Sequence, residues 1–291
     1  MSSARLGPSE EFAVPAPEEI PPEAPAAEAH RRIQIQVPAR HNPTLLAILE
    51  RVNADDDLYA TWRCANINAV DRLGMSDHGP VHVQIVANIG LRLFRLLVSR
   101  QITPSAVQYH QLTIEDAEVI VVLACLLHDV GMAVHREDHE HYSLFLAHDK
   151  LKELLADLYP PAARRVMISE ILHAIIAHRA DGRPLTLEAG IVRVADALDM
   201  AKGRSRIPFE AGKVNIHSVS AAAIDRVSIG PGENRPVRIV IHMNNSAGIF
   251  QVDELLREKV EGSGLEPYLE ITAVIEGEAE RRLISEVRIG R

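Results

Sequence analysis

The chain has few of the features that crosslink a protein or anchor it in a membrane. Only two of its 291 residues are cysteines, Cys64 and Cys125, and aromatic residues make up 4%. Two cysteines give neither a disulfide framework nor zinc-finger spacing, which is typical of the reducing cytoplasm. We find no charged-then-apolar signal segment and no uninterrupted apolar run of the roughly 18–20 residues that cross a bilayer. We therefore expect a cytoplasmic protein with no membrane partner.

Positive charge is also scarce. The sequence holds 31 lysines and arginines against 40 aspartates and glutamates, which gives a formal net charge of −9. Such a chain has no overall positive field to hold a nucleic acid by its phosphates, although a local basic patch is compatible with it. The sequence also lacks a Gly-rich phosphate loop, an internal repeat and a serine or cysteine nucleophile motif. Strong nucleic-acid binding is therefore not expected.

The composition changes twice along the chain, which predicts the boundaries 1–40, 41–210 and 211–291. Residues 1–40 are rich in proline, glutamate and alanine and bury too little apolar surface to offset the entropy of ordering. We expect a disordered tail with a short strand at Ile33–Val37, and an interaction arm is the alternative. The whole chain is expected to be mainly α, with a smaller C-terminal α+β domain.

Apolar residues recur at helical spacing through residues 41–210. Asn42 and Thr113 are predicted N-caps, and Thr113 forms a capping box with Asp116. The predicted helices are Pro43–Val52, Asp55–Leu73, one that starts at Val81, Ile114–His128, one from about Asp138 to Leu158, one from Ala162 to about Arg179, and Gly190–Arg204.

From about Gly212 the sequence becomes strand-like. The stretches VNIHSVS, VRIVIHM, YLEITAV and LISEVRI are rich in β-branched residues and alternate in polarity. The stretch FQVDELLREKVEG between them predicts an amphipathic helix. We expect one antiparallel sheet covered by this helix, in a unit that mediates homo-oligomer formation or shapes substrate access.

Histidine is unexpectedly frequent: there are 14, and ten fall between His78 and His178. The central stretch is Leu123–Met132, where an apolar helix ends in His128 and Asp129. Burying an imidazole and a carboxylate is costly unless their charge is compensated. A divalent metal compensates it because it accepts both ligand types and keeps the carboxylate ionised. The alternative is a hydrogen-bonded histidine–aspartate pair that caps the helix.

Two further segments supply candidate ligands. His82 lies in the first turn of a predicted helix, and His78 precedes it by four residues, so the pair forms either half of a metal site or two exposed histidines. Asp196 and Asp199 lie in an otherwise apolar helix. Asp199 either orients a ligand histidine or caps and pairs at the surface.

Three strings now resemble the HD-domain superfamily of metal-dependent phosphohydrolases: HVQIVANIG at 82–90, CLLHDVGM at 125–132 and IVRVADALDM at 191–200. The resemblance covers about residues 75–205 and implies an HD-type helical bundle. It implies one divalent metal held by His82, His128, Asp129 and Asp196, with Asp129 bridging to a second ion. The additional ligands that it implies are His139, His173, His178 and His78. These ligand types do not distinguish Mn, Fe, Mg, Co, Ni and Zn.

The chain departs from individual branches of this superfamily. The string HRADG at 178–182 resembles the HHExxDG segment of the HD-GYP branch, but Met132 stands where that branch has lysine, and its GYP tripeptide is absent. Met132 and Ala133 also occupy the stretch where (p)ppGpp hydrolases have an acidic pair. The resemblance therefore favours neither cyclic di-GMP nor (p)ppGpp as the substrate.

The implied activity is cleavage of a phosphate ester, which we interpret as that of a nucleotide, by attack of metal-bound hydroxide. His128 and Asp129 would be the central catalytic residues. Arginine suits bidentate phosphate contacts, and the alternative for each flanking cation is a solvated surface charge. The candidate phosphate-binding cations are Arg136, Arg179, Lys202 and Arg204.

Two other classes of function stay open at this point. A non-catalytic signalling module would use the same pocket to bind a metal or a nucleotide, and its C-terminal domain would pass the signal to a partner. A helical scaffold would simply pack its histidines. Turnover of a phosphate ester distinguishes the enzyme from the module, and metal content distinguishes both from the scaffold.

Overall fold

Eight α-helices dominate the computed structural model, which describes residues 12–13, 32–179, 181–201 and 220–276. The mainly helical fold with a small C-terminal sheet is therefore confirmed. The helices are α1 (Pro43–Ala54), α2 (Asp56–Asn66), α3 (Pro80–Ser99), α4 (Ser105–His110), α5 (Ile114–Leu127), α6 (His139–Leu154), α7 (Pro161–Ala177) and α8 (Leu187–Leu198).

Some predicted features fall outside the described residues. The strand predicted at 214–220 does so except for its last residue, and the strand predicted at 283–289 does so entirely. The candidate phosphate contacts Lys202 and Arg204 also fall outside them.

The helix starts follow the capping chemistry of the sequence. Asn42 Oδ1 accepts a hydrogen bond from the Leu45 amide at 3.0 Å. Thr113 Oγ1 accepts one from the Asp116 amide at 3.1 Å, and the Asp116 carboxylate accepts one from the Thr113 amide at 2.9 Å. Each bond satisfies an amide that the helix leaves without an internal partner. Both predicted N-caps are therefore confirmed.

The helix predicted at Asp55–Leu73 is not uniform. α2 ends at Asn66, and Ile67–Arg72 continues as a π-helical segment. Within this wider turn Asn68 donates to the carbonyls of Met132 at 2.7 Å and Ala133 at 3.0 Å. This side chain ties the end of the helix to the turn that follows α5, a long-range contact that apolar spacing does not reveal.

α5 is the centre of the core. Its side chains from Val119 to Leu127 are at most 1% exposed, and α3, α7 and α8 pack around it. Gly90 allows α3 to approach closely, since a Cβ there would lie 2.8 Å from Cys125 Sγ. A helix buried on all sides needs no polar face, which explains the continuous apolar run in the sequence.

α3 is the one helix in the described ranges that is long and apolar enough to cross a membrane by length and composition. Its 20 residues include Arg92 and Arg95, and 56% of its most apolar window is buried inside the protein. Core helices of globular proteins meet the same criterion, so this feature is weak support for a membrane span.

The sheet has the order β1 (Phe12–Ala13), β2 (Ile224–Pro231), β3 (Val237–Met243) and β4 (Leu269–Ile275). β2 runs antiparallel to β1 and β3, but β3 and β4 are parallel. The prediction of an antiparallel sheet is therefore wrong for the last pair. The chain between β3 and β4 contains the π-helical turn Gln251–Leu256 and α9 (Arg257–Val260), and a crossover with a helix joins parallel strands.

The sheet and the bundle share one hydrophobic core. Arg100, just after α3, donates to the Gly232 carbonyl at 2.8 Å. Before α1, the backbone amide of Ile35 donates to the Asn53 side chain at 2.7 Å, and that side chain donates to the Ile35 carbonyl at 3.0 Å. The strand predicted at Ile33–Val37 is therefore wrong, because this segment bonds to a side chain rather than to a neighbouring strand. The predicted boundaries at residues 40 and 210 stay predictions.

Candidate metal centre

A tight turn fixes His128 and Asp129 at the end of α5. Ser143 of α6 holds the turn, since its Oγ donates to the His128 carbonyl at 2.7 Å and accepts from the Gly131 amide at 2.8 Å. A Cβ at Gly131 would lie 2.0 Å from the His139 carbonyl oxygen. Glycine is therefore required where the start of α6 meets the turn, and this close approach brings His139 towards Asp129.

Three side chains from separate helices form the first ligand group: His82 of α3, His128 after α5 and Asp196 of α8. His82 Nε2 lies 3.3 Å from His128 Nε2. Asp196 Oδ1 lies 3.6 Å from His82 Nε2 and 3.7 Å from His128 Nε2. The three atoms therefore surround one point, and both histidines are buried.

Asp129 connects this group to a second one. Its Oδ2 lies 3.4 Å from His82 Nε2 and 3.2 Å from His128 Nε2. Its Oδ1 lies 3.0 Å from His139 Nε2 and 3.7 Å from His178 Nε2. Each carboxylate oxygen thus faces a different pair of imidazoles, which is the geometry of a bridging ligand.

The second ligand group consists of His139, Glu140 and His178, whose ligand atoms lie within 4.8 Å of one another. His139 and Glu140 begin α6, and His178 follows the last residue of α7. Helix ends allow these side chains to point at the turn after α5 rather than along a helix face.

The hydrogen bonds of two rings indicate that the Nε2 atoms of neutral His128 and His178 are acceptors. The Nδ1 atom of His128 lies 2.8 Å from the Cys125 carbonyl, and that of His178 lies 2.6 Å from the Ile175 carbonyl. A carbonyl only accepts, so each Nδ1 carries a proton and leaves an Nε2 lone pair for the cluster. When these rings are neutral, the cluster presents imidazole lone pairs and carboxylate oxygens whose negative charge a cation would compensate. The residues present therefore fit a divalent metal.

The pKa values show the same need for positive charge. Burial lowers the pKa of His128, but the carboxylates of Asp129 and Asp196 outweigh it and raise that pKa to about 10. Burial raises the pKa of Asp129 while His128 holds it well below its usual range. Burial also raises the pKa of Asp196, but the charges of Lys259 and then His128 hold that pKa well below its usual range. Without a divalent cation, a proton on His128 balances the carboxylates, and metal binding releases such protons.

Two more predicted residues lie at the first ligand group. Asp199 Oδ2 lies 2.6 Å from His82 Nδ1, which orients the ring and leaves its Nε2 towards the cluster. His78 Nε2 lies 3.9 Å from Asp129 Oδ2, and its Nδ1 lies 2.7 Å from the Ser76 carbonyl. His78 is therefore at the edge of the group.

His173 lies apart from the cluster. Its Nε2 accepts a hydrogen bond from the Leu185 amide at 2.9 Å, and burial lowers its pKa. In the described part of the chain, the convergent ligand sets do not include it. Its predicted role as a metal ligand finds no support in this placement.

The two candidate phosphate contacts within the described residues, Arg136 and Arg179, differ in their surroundings. Arg136 is exposed, and its Nη1 lies 2.8 Å from His139 Nδ1. Arg179 donates to both carboxylate oxygens of Asp181, at 2.8 and 3.3 Å. A cavity of about 290 Å³ lies next to Arg179 and is also lined by His141, His173 and Arg183. Basic side chains therefore line a recess beside the second ligand group.

Two residues of the centre were not predicted from the sequence. Glu140 directly follows His139, so its position was the available signal. Lys259 lies far outside the stretch of resemblance, and its Nζ is 3.3 Å from Asp196 Oδ2. A lysine in an amphipathic helix gives no such signal, because it is the ordinary residue of a solvated helix face.

The fold and the site thus define a helical bundle with a histidine–aspartate centre built for divalent cations. The HD domain family model matches residues 75–201. An uncharacterized protein of Methanocaldococcus jannaschii is 43% identical over 216 residues, which cover 74% of this chain and 83% of that protein. The chain belongs to the HD-domain superfamily of metal-dependent phosphohydrolases.

More distant relatives include enzymes named Ribonuclease Y. The one from Acholeplasma laidlawii is 23% identical over 254 residues, 82% of this chain and 45% of that protein. The one from Syntrophotalea carbinolica is 32% identical over 166 residues, 55% of this chain and 29% of that protein. This chain therefore spans less than half the length of these ribonucleases.

Proposed function

We propose that this protein hydrolyses a phosphate ester of a small nucleotide, and that its two ligand groups hold two divalent cations. The observation that carries the proposal is the position of Asp129, whose two oxygens face different imidazole pairs at 3.0–3.7 Å. Divalent cations in such a pair of sites supply a water nucleophile near neutral pH and neutralise the phosphoryl oxygens.

The residues of the chain orient this chemistry. Asp129 is shared between both ligand groups, so it sets their separation. Asp199 fixes the ring of His82 at 2.6 Å, and backbone carbonyls fix His128 and His178. The ligands therefore need little reorganisation when a cation binds, which preserves affinity.

The substrate phosphate would approach from the side of the second ligand group. Arg136 is exposed there, and Arg179 and Arg183 line the adjacent cavity of about 290 Å³. Guanidinium groups match the geometry of phosphate oxygens. Arg179 is paired with the Asp181 carboxylate, whereas Arg136 contacts the imidazole of His139, so Arg136 is the better candidate for direct contact with the phosphate.

Hydrolysis of an RNA phosphodiester is the second candidate, and the similarity to enzymes named Ribonuclease Y favours it. The net charge of −9 argues against it, because nucleic-acid binding draws most of its affinity from phosphate neutralisation. RNA binding would therefore require a local basic surface, because the chain as a whole has no positive field that attracts phosphates.

The test is hydrolysis by metal-stripped protein reloaded with Mn²⁺. The substrates are nucleoside monophosphates, a linear dinucleotide, a labelled RNA and a chromogenic phosphate ester. We expect turnover of a small nucleotide that chelator abolishes. In Asp129→Asn turnover should fall by at least about 10³-fold, and Asp149→Asn at the surface is the matched control. Faster cleavage of RNA would support the second candidate. Tight nucleotide binding without turnover of any substrate would contradict both and support a signalling module.

A further inference from the structure

A cation from outside the helical bundle reaches the first ligand group. Lys259 lies on α9, in the crossover between β3 and β4. Its Nζ lies 3.3 Å from Asp196 Oδ2 and 2.5 Å from the His178 carbonyl oxygen. The side chain is 19% exposed, so it lies mostly inside the protein. One ammonium group thus touches a member of the first ligand group and the backbone of a member of the second.

The two oxygens of the Asp196 carboxylate have different partners. Oδ2 faces Lys259, while Oδ1 faces His82 and His128 at 3.6 and 3.7 Å. A carboxylate with one oxygen held in this way presents its other oxygen to a cation in a fixed direction. Without the ammonium group, the Asp196 side chain could rotate about its terminal bond, whose torsional preference is broad.

A buried arginine fixes the backbone that carries the lysine. Arg193 of α8 is 2% exposed. Its guanidinium donates to the carbonyls of Lys259 at 2.9 Å, Glu258 at 2.9 Å and Glu261 at 3.3 Å. It also donates to the Gly182 carbonyl beside the cavity described above. Burying a guanidinium is costly unless its donors are satisfied, and here they cap the last carbonyls of α9.

The same face of α8 receives the rest of the segment. Gly190, Arg193 and Asp196 follow one another at three-residue spacing, which places them on neighbouring positions of a helix. A Cβ at Gly190 would lie 2.3 Å from the Ser263 carbonyl oxygen. α8 therefore contacts residues 258–263 at each of these three positions, the last of which is the predicted metal ligand Asp196.

We propose that Lys259 is a positioning residue of the metal centre, so that the C-terminal unit completes the first ligand group. Lys259 holds one oxygen of Asp196 and thereby fixes the other as a single-oxygen ligand. The inference rests on the proposed function only in requiring that this group binds a divalent cation, and it is independent of the substrate.

The test is isothermal titration of metal-stripped protein with Mn²⁺. Lys259→Met removes the charge and keeps most of the side-chain length. We expect it to weaken Mn²⁺ binding about 10- to 100-fold, the usual effect of losing a partner that orients a ligand. Lys259→Arg keeps donors in place and should recover most of the affinity. Arg257→Met is the matched control, because Arg257 lies on the same helix and pairs with Asp253 at the surface.

An Mn²⁺ affinity of Lys259→Met that equals or exceeds that of the wild type would overturn the inference, because the ammonium group would then contribute nothing to cation binding. If Lys259→Met does not fold, Gly190→Ala displaces the same segment and should weaken Mn²⁺ binding, and unchanged affinity there would count against the inference. Wild-type protein that binds Mn²⁺ but hydrolyses no ester refutes the proposed function alone. Wild-type protein that hydrolyses an ester, together with a Lys259→Met variant of unchanged Mn²⁺ affinity, refutes the inference alone.

Discussion

The two ligand groups that meet at Asp129 are built differently. The first takes side chains from three core helices and steadies them with other side chains, Asp199 and Lys259. The second takes side chains from the ends of α6 and α7, where the His139 ring contacts the Arg136 guanidinium and the His178 ring bonds to a backbone carbonyl. The first group is therefore part of the core, whereas the second lies where helices end and basic residues line a cavity. We infer that the first group is the anchor of the centre and the second is the side that meets the substrate.

Removing the residue common to both groups should have the largest effect. Asp129→Asn deletes the bridging charge, so we expect hydrolysis to fall by at least about 10³-fold, the scale of losing a central group that stabilises transition-state charge. Mn²⁺ content should fall for both groups together. Metal analysis with activity measurement checks this. Retention of one tightly bound ion would show that Asp129 does not couple the two groups.

Removing a ligand from one group alone should separate them. His139→Ala should lose one Mn²⁺ per chain, keep the ion of the first group and lower turnover about 10²-fold. His82→Ala should lose the ion of the first group instead. Titration with Mn²⁺ and counting of bound ions distinguishes the two variants. Identical losses in both variants would mean that the groups form a single site.

A smaller effect is expected from a partner that touches no cation. Asp199→Asn keeps the shape of the side chain but removes the charge that faces His82 Nδ1 at 2.6 Å. Mn²⁺ affinity should fall about 10- to 100-fold, with no change in the number of ions at saturation. A matched Asp149→Asn variant at the surface should bind as wild type. An unchanged affinity in Asp199→Asn would assign that residue to the fold alone.

The smallest effect is expected at His173, which the resemblance implied as a ligand but which bonds to the Leu185 amide. His173→Ala should leave the number of bound Mn²⁺ ions and their affinity unchanged. Titration of this variant beside His178→Ala gives the comparison, because His178 Nε2 faces Asp129 Oδ1. Loss of an ion in His173→Ala would move the second ligand group to a different part of α7.

The first ligand group was predicted from the resemblance to the HD-domain superfamily, and two of its members also interrupt apolar helices. An imidazole or a carboxylate in such a run is visible as an exception to helical periodicity, as at His128 and Asp196. Glu140 was not predicted because acidic residues are common at a helix start, so its position directly after His139 did not distinguish it. Lys259 was not predicted because nothing local distinguishes a lysine that points into a site from one that points into water.

The same reasoning explains the errors in the fold. Local signals such as the Thr113 capping box predict where helices begin, because the hydrogen bonds involved lie within four residues. The parallel pairing of β3 and β4 depends on a crossover of about 25 residues, which local alternation cannot specify. The extended segment around Ile35 alternates like a strand, but its partner is the Asn53 side chain.

The most direct test of the account is the anomalous-scattering map of a crystal grown with Mn²⁺. We predict one peak among His82 Nε2, His128 Nε2 and Asp196 Oδ1, and a second peak on the other side of Asp129 beside His139 and His178. Absence of both peaks, with the histidines bonded directly to the two aspartates, would contradict the account.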